Sequence, residues 1–352
     1  MTNADSVIAT LITDYNHLLT TRPHDIRRVL ISDLHLSADE PALVQAFLAL
    51  LDDLLALPNL IELYILGDWF DAWVGDDAYL SLSDTDKSTH WLTPIIDKLT
   101  QLKHAGCQTL VMHGNRDFLI GQDFCDCFGG RLIHEPFILT LGDTRFRFEH
   151  GDALCTDDLS YQRFRRVTRN RAVQWLFLKQ PLTKRLNFAN KVRHHSTEDK
   201  AHKPMAIMDV NDMAVNKALQ HVDHLLHGHT HRPDIHQVSD DHSPLHTNKK
   251  TKLLSKFSRK KTCSNSSDNS NNSQYHNRYR YVLGDWRVNN RDSARQRVEA
   301  VIAFTTVDSF EQLNLQNQAH TQKNKQKNTQ TNKSAQSGQW PNERLQLVNF
   351  VH

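Results

Sequence analysis

With 352 residues and a formal net charge of +2, the chain has room for one large domain or two small ones, and its charge balance does not mark a nucleic-acid binder. Five scattered cysteines (Cys107, Cys125, Cys127, Cys155 and Cys263) form no CxxC pair, which argues for a reducing compartment over a disulfide framework. No apolar run approaches the roughly 18 residues of a membrane-spanning helix, and the opening MTNADSVIATLITDYNHLL has an acid and no base before its broken apolar stretch, unlike a signal peptide. Residues 1–27 read as an N-terminal extension, an added helix or a frayed arm, ahead of a domain over 28–352. The expectation is a soluble, cytoplasmic chain.

From Arg28 the pattern alternates between strand and helix. RRVLISDLHLS is a short apolar run ending in a polar turn, and EPALVQAFLALLDDLLAL has helical periodicity with Pro41 near its first turn. IELYILGDWF reads as a buried strand, STHWLTPIIDKLTQLKHAG as a helix closed by Gly106, and CQTLVMHGNRDF as a third strand. FILTLGDTRFRFEHGD reads as a hairpin turning at Gly142-Asp143. Each strand ends in a polar tip: Asp33 and His35, Gly67-Asp68, Gly114-Asn115, His150-Gly151. Ligands of open α/β sheets bind at the carboxyl ends of the strands, so these tips predict one shared site.

Residues 159–197 stand apart, with ten Lys or Arg, no acid, and bulky apolar residues interleaved. Pro181 splits the stretch into two predicted helices. They read either as a pair with a solvated basic face or as an amphipathic insert that meets anionic lipid or phosphate. The insert follows the tip at His150, where a lid would sit; its predicted extent is about 156–203. Two polar tracts, 239–277 and 315–338, are rich in Asn, Gln, Ser and Lys and read as disordered loops. RYRYVLGDW, RVEAVIAFTTV and ERLQLVNFVH resume strand patterning around them.

LLHGHTHRPDIH places His227, His229 and His231 at alternating positions. Alternation points three rings one way only in a regular strand, and Gly228 argues for a turn at a strand end instead. Alone, such a cluster is as well read as a solvated loop. It gains meaning from the other tips, because DxH, GD, GNRD, HGD and GHTH fall in order on successive strand ends. Mixed imidazole and carboxylate or amide oxygen suits Mn²⁺, Fe²⁺ or Zn²⁺, and the lack of Cys disfavours structural zinc.

This ordered set resembles the calcineurin-like metallophosphoesterases. The resemblance implies an α/β sandwich of two mixed β-sheets flanked by helices, here with a helical lid insert, and a two-metal site. It implies that Asp33, His35, Asp68 and His231 hold one ion and that Asp68, Asn115, His150 and His229 hold the other, with Asp68 bridging. A bridging carboxylate sets two ions roughly 3.5–4 Å apart, the spacing that clamps both oxygens of an in-line phosphoryl displacement. His227 is then a structural histidine or a support to the ligands.

Arg116 in GNRD departs from the His that many members of this superfamily carry there. Arg is no proton donor near neutral pH but forks two hydrogen bonds onto a phosphate. A phosphate leaving group needs charge stabilisation more than a proton, so Arg116 leans the chemistry towards pyrophosphate cleavage.

Longer phrases (DLHLS, YILGDWFDAWVGDD, HGNRDFLIG, HGDALCTDDLSYQRFR, AIMDVN, HGHTHRP and the later VLGDW) resemble the UDP-2,3-diacylglucosamine hydrolases of lipid A synthesis over roughly residues 29–236. That resemblance implies water attack on the α-phosphorus of UDP-2,3-diacylglucosamine, giving UMP and 2,3-diacylglucosamine 1-phosphate, with two Mn²⁺ ions as cofactors. It implies Asp68, Asn115 and Arg116 as catalytic residues and Asn115, Arg116, Asp158, Ser196, Lys200, Lys203 and His229 as substrate contacts. Lys200 stands where relatives often have Asn. The basic insert becomes a lid that grips acyl chains and docks on the anionic cytoplasmic face of the inner membrane, with no role for nucleic acid. Two alternatives remain: another dinuclear phosphodiesterase or phosphatase, which would not need the basic insert, and a metal-free binding module, which would not keep all seven ligands.

Overall fold

Strand β2 (Ile26–Ile31) is buried along its whole length, and from Val29 onward its side chains alternate between two cores. Val29 and Ile31 join one apolar cluster while Leu30 joins another. The same split recurs in β3 (Glu62–Leu66) and β4 (Gln108–Met112), where Leu63, Ile65 and Val111 face one way and Tyr64, Leu66, Leu110 and Met112 the other. Continuous apolar runs of this kind are what parallel strands covered on both faces require.

The computed structural model describes residues 12–202, 207–238, 277–289, 296–307 and 343–352. In chain order its elements are β1 (Thr13–Asp14), α1 (Tyr15–Thr21), β2, α2 (Pro41–Leu55), β3, the short α3 (Asp77–Leu80) and α4 (Asp84–Ser88), α5 (Thr93–His104), β4, α6 (Gln122–Asp126), β5 (Arg131–Ile133), β6 (Phe137–Leu141) and β7 (Thr144–Phe148). Then come α7 (Leu159–Thr168), α8 (Arg171–Leu178), α9 (Leu182–His202), α10 (Asp212–Ala218), β8 (His224–His227), β9 (Asp234–Val238), β10 (Arg278–Val282), β11 (Arg287–Asn289), β12 (Arg297–Thr306) and β13 (Arg344–Val351).

One sheet runs β1-β13-β12-β2-β3-β4-β5, with β11 added to β12; β2 to β5 are mutually parallel and β12 is antiparallel to both its neighbours. The second runs β6-β7-β8-β10-β9 and is also mixed. Phe146, Phe148 and Leu226 of the second sheet, with Leu283 just past β10, meet Leu30, Leu66 and Met112 of the first, so the fold is the expected sandwich. Helices α2 and α5 cover the outer face of the first sheet, and α10 covers Leu225 of the second. Pro41 opens α2, and α5 ends in a left-handed Gly106 (φ 98°) with Gly106 N–H on Lys103 and Cys107 N–H on Leu102, a Schellman close.

Of the two readings of the extension, the added helix is the one seen, as α1: β1 pairs with β13, Asp14 caps α1, and Tyr15 and Leu18 are buried, with the Tyr15 phenol on Asp53 at 2.8 Å. One expectation needs revision. The basic insert makes three helices, not two. Pro181 does separate α8 from α9, but Asn170 adds a break, because its side chain accepts from the N–H groups of Ala172 and Val173 and so starts α8 afresh. The tract 315–338 and all but the last residue of 239–277 lie outside the described residues. Among the described residues, no helix is long and apolar enough to cross a membrane.

Candidate metal centre

Five tips converge where the strands end. β2 leads to Asp33 and His35, β3 to Asp68, β4 to Asn115 and Arg116, β7 to His150, and β8 to His229 and His231. Backbone bonds lace them together: Asp33 N–H to Gly67 at 3.1 Å, His35 N–H to Asp68 at 3.0 Å, and Gly228 N–H to His150 at 2.9 Å. The glycines between are required by space. A Cβ on Gly67 (φ 90°) would lie 2.6 Å from Nδ1 of His150, and one on Gly228 would lie 2.1 Å from the Asp33 carboxylate.

Asp33, His35, Asp68, His229 and His231 are the non-glycine residues with positive φ among the described residues, at 50–66°. Each such conformation costs about 1–3 kcal/mol and persists where the surroundings impose it, typically at functional sites. All five were predicted as metal ligands.

The side chains form two groups whose candidate ligand atoms lie within 4.8 Å of one another: Asp33, His35 and His231, and Asp33, Asp68 and His150. Asp33 is common to both. Asp68 also reaches both halves, with Oδ2 3.9 Å from Nδ1 of His35 and Oδ1 3.6 Å from Nε2 of His150. Nε2 of His150 faces Oδ1 of Asn115 at 3.0 Å, while its Nδ1 is satisfied by the carbonyl of Leu66 at 3.1 Å. The ring of His229 stands 5.1 Å from that of His150, outside both groups.

The residues fit divalent metal. Asp33, Asp68 and His150 are almost wholly buried, and neither ring nitrogen of His35 has a hydrogen-bond partner although both are shut from solvent. Burial holds His35 below its ordinary range and brings His229 down to about 4, so both are neutral with a lone pair to give. At His150 and His231 burial also opposes charge, but nearby carboxylates outweigh it and push both up to about 9: Asp68 and Asp33 for His150, Asp285 and Asp33 for His231. A cluster that would capture protons at neutral pH is one whose charge calls for cations. His227 differs. It is fully buried, with Nδ1 on the carbonyl of Gly228 at 2.8 Å and Nε2 facing Arg280 at 3.3 Å.

Arg116 lies at the edge of the cluster, its backbone N–H on Asp68 and Nη1 on Asp71 at 2.9 Å each. Asp158 is buried as the N-cap of α7, accepting from Tyr161 N–H at 3.0 Å. Ser196 and Lys200 lie one turn apart on α9, and Lys203 is outside the described residues.

Several contributors escaped the sequence reading. Asp71 holds Arg116. Asp117 is fully buried and accepts from Gly114 and Trp69 N–H at 2.7 Å, tying the β3 and β4 tips. Asp152 accepts from the Tyr161 phenol and from Nε of Arg165 at 2.9 Å, joining the β7 tip to α7, and its other oxygen is buried without a partner. Asp285 binds His231 from behind at 3.0 Å. Asp117, Asp152 and Asp285 sit inside the GNRD, HGD and VLGDW phrases, so their motifs were visible while their contacts were not.

Mixed sheets in a sandwich, with His, Asp and Asn gathered at the strand ends, define a metallophosphoesterase, and the chain belongs to that class: the calcineurin-like phosphoesterase family model matches residues 26–233. Within it, the chain belongs to the family of UDP-2,3-diacylglucosamine hydrolases. The protein of that name from Histophilus somni (strain 2336) is 41% identical over 209 residues, 59% of this chain and 85% of its own length. That from Pseudomonas putida (strain F1) is 42% identical over 218 residues, 61% and 86% respectively, and that from Proteus mirabilis (strain HI4320) 43% over 216 residues, 61% and 85%.

Proposed function

We propose that the chain hydrolyses the pyrophosphate of UDP-2,3-diacylglucosamine, with water attacking the α-phosphorus to give UMP and 2,3-diacylglucosamine 1-phosphate on the path to lipid A. The observation that carries this is the set of five left-handed Asp and His residues around buried carboxylates, beside an arginine in place of a proton donor. Asp33, His35, Asp68 and His231 would hold one divalent cation, and Asp68, Asn115, His150 and His229 a second; Mn²⁺ is the ion we assign. When bound, the cations supply Lewis-acid stabilisation of the phosphoryl oxygens and a more acidic water.

The chain's own groups do the rest. Arg116, oriented by Asp71, presents its remaining guanidinium N–H groups to a phosphate and carries the charge that develops as the sugar phosphate separates from the α-phosphorus. Arg169 bonds the carbonyl of Gly114 at 2.8 Å and sets a second positive charge at the site's rim. Asp158, Ser196, Lys200 and Lys203, on or next to the insert, are the further substrate contacts in this reading.

The insert works as a lid that also meets the cytoplasmic face of the inner membrane. Leu159, Val167, Trp175, Leu176, Leu186 and Phe188 are all at least 45% exposed, an apolar display that a solvated face does not need. The domain in this reading spans 28–352, with residues from Thr13 added to its sheet. The decisive assay compares UDP-2,3-diacylglucosamine with bis-p-nitrophenyl phosphate. A strong preference for the former supports the reading, and preference for the simple diester would favour a general phosphodiesterase.

A further inference from the structure

We infer that Asp285 is a positioning residue for the metal centre, fixing His231 as the tautomer whose Nε2 lone pair is free for a cation. The inference rests on the proposed reading of His231 as a ligand.

His231 uses its two nitrogens on opposite sides. Nε2 points at the cluster, 3.5 Å from Oδ1 of Asp33, and Nδ1 lies 3.0 Å from Oδ2 of Asp285. A carboxylate accepts only, and the Asp285 contact is the shorter of the two, so in the neutral ring the proton stays on Nδ1 and Nε2 is left as the donor atom for a cation. The partner carboxylate also makes the ligand nitrogen more basic.

Arg287 completes a ring behind the histidine. Its Nε meets Asp285 at 2.8 Å and its Nη2 donates to the carbonyl of His231 at 2.9 Å, so one arginine holds both the orienting carboxylate and the left-handed backbone (φ 56°) of the residue it orients. The segment carrying Asp285 is itself well seated. Leu283 N–H bonds the carbonyl of His227 and Gly284 N–H that of Val301, each at 2.8 Å, so the turn is pinned to β8 of one sheet and β12 of the other. A Cβ on Gly284 would come 2.9 Å from the Val301 nitrogen. Trp286 N–H bonds the carbonyl of Asp33 at 3.1 Å. GDWR therefore grips both Asp33 and His231, two of the four ligands assigned to one ion.

The contrast within the cluster gives the inference its signature. His150, assigned to the other ion, has its Nδ1 satisfied by the neutral carbonyl of Leu66. Loss of the Asp285 carboxylate should therefore weaken one ion and spare the other, which general damage to the fold would not do.

The test titrates the metal-free full chain with Mn²⁺, following free Mn²⁺ by electron paramagnetic resonance. Two ions should bind wild type. Asp285→Ala should weaken one of them about 10- to 100-fold, the usual effect of removing such an orienting partner. Asp285→Asn, which keeps an acceptor oxygen, should recover part of the loss. In ¹⁵N-histidine spectra of the metal-free chain, taken at a pH above the raised value of His231 so that the ring is neutral, it should be the Nδ1–H tautomer in wild type and a mixture in Asp285→Ala. An unchanged isotherm, or equal weakening of both ions with a lowered melting temperature, overturns the inference and leaves the metal site standing. If Asp285→Ala does not fold, the isosteric Asp285→Asn decides in the same way. Wild type that binds no Mn²⁺ would remove the metal reading itself, and this inference with it.

Discussion

Arg185 of α9 is only 2% exposed and forks onto the carboxylate of Asp77, fastening the base of the basic insert to the start of α3. It also donates to the carbonyls of Val74 and Gln180. Gly75 (φ 130°) makes room, since a Cβ there would lie 2.4 Å from the Arg185 Nη1. Arg185→Ala would leave those carbonyls without their donor, while Asp77, half exposed, regains water. A buried group left unsatisfied costs about 1–3 kcal/mol. The expected result is faster limited proteolysis within 159–202 with the melting of the sandwich little changed. Cleavage at the wild-type rate would show that the anchor lies elsewhere.

The histidines of the β8 tip should separate by role. Asp68→Ala or His229→Ala should abolish hydrolysis while the chain stays folded, because each removes a proposed ligand. His227→Ala should retain most of its kcat/KM but melt earlier, since it opens a cavity and strips Arg280 of a partner. Equal loss of activity in all three would sink the assignment.

How far the sequence reached can be read from particular residues. The strands ending at Asp33, Asp68, Asn115 and His150 were legible because apolar runs and polar tips are local signals. The third helix of the insert was missed because Asn170 acts through its side chain on the two residues that follow, a cap that competes with an uninterrupted basic pattern. The left-handed turn at each proposed ligand has no local signature, as none of the five is glycine. The pairings of Asp285 with His231 and of Asp71 with Arg116 bridge 54 and 45 positions, and only the folded sheets bring those partners together.

A test of the lid depends on which of its basic residues face solvent. Arg165 and Arg169 turn inward, onto Asp152, Glu135 and Gly114, whereas Arg163, Arg166, Arg171 and Lys184 are exposed. Changing Arg166, Arg171 and Lys184 to Glu should therefore reduce binding to anionic vesicles without disturbing the site. Each basic residue near such a surface contributes about 1 kcal/mol, and the loss should be greatest at low salt. Unchanged partitioning would return the insert to a solvated basic face.

His224 should contribute to acid sensitivity. Burial holds its pKa below the ordinary value, and it packs among Phe146, Tyr279 and Tyr281 while its Nδ1 accepts the Tyr279 N–H at 3.2 Å. The unfolded chain thus binds a proton more readily than the folded one. Stability from this group is present above the unfolded value, about 6.5, and is lost as pH falls below it. His224→Asn keeps an acceptor near the Nδ1 position but cannot titrate. Its melting temperature should fall less than that of wild type between about pH 7 and about pH 5. Parallel curves would place the acid sensitivity elsewhere.

Arg116 poses the sharpest chemical question. If it carries charge developing on a phosphate leaving group, Arg116→Lys should restore activity only partly, because a point charge cannot reproduce the fork. Lys would also hold Asp71 through a single bond, where Arg116 now spends one nitrogen and keeps the others for substrate. Arg116→His would supply a proton donor suited to an alkoxide. It should lose far more activity on UDP-2,3-diacylglucosamine than on an aryl phosphodiester, whose leaving group makes no such demand. Losing one hydrogen-bonding group of this kind from a transition state typically costs about 2.7–4 kcal/mol, or about 10² to 10³ in rate. The quantity to follow is the ratio of kcat/KM on the two substrates, in wild type and in each variant. Asp71→Asn provides the internal control: it leaves the guanidinium in place but loosens its orientation, so it should shift the ratio in the same direction by less. A ratio that stays constant across all of these variants would mean that Arg116 does not distinguish a pyrophosphate from an ester, and the leaving-group argument would fall while the metal centre stood.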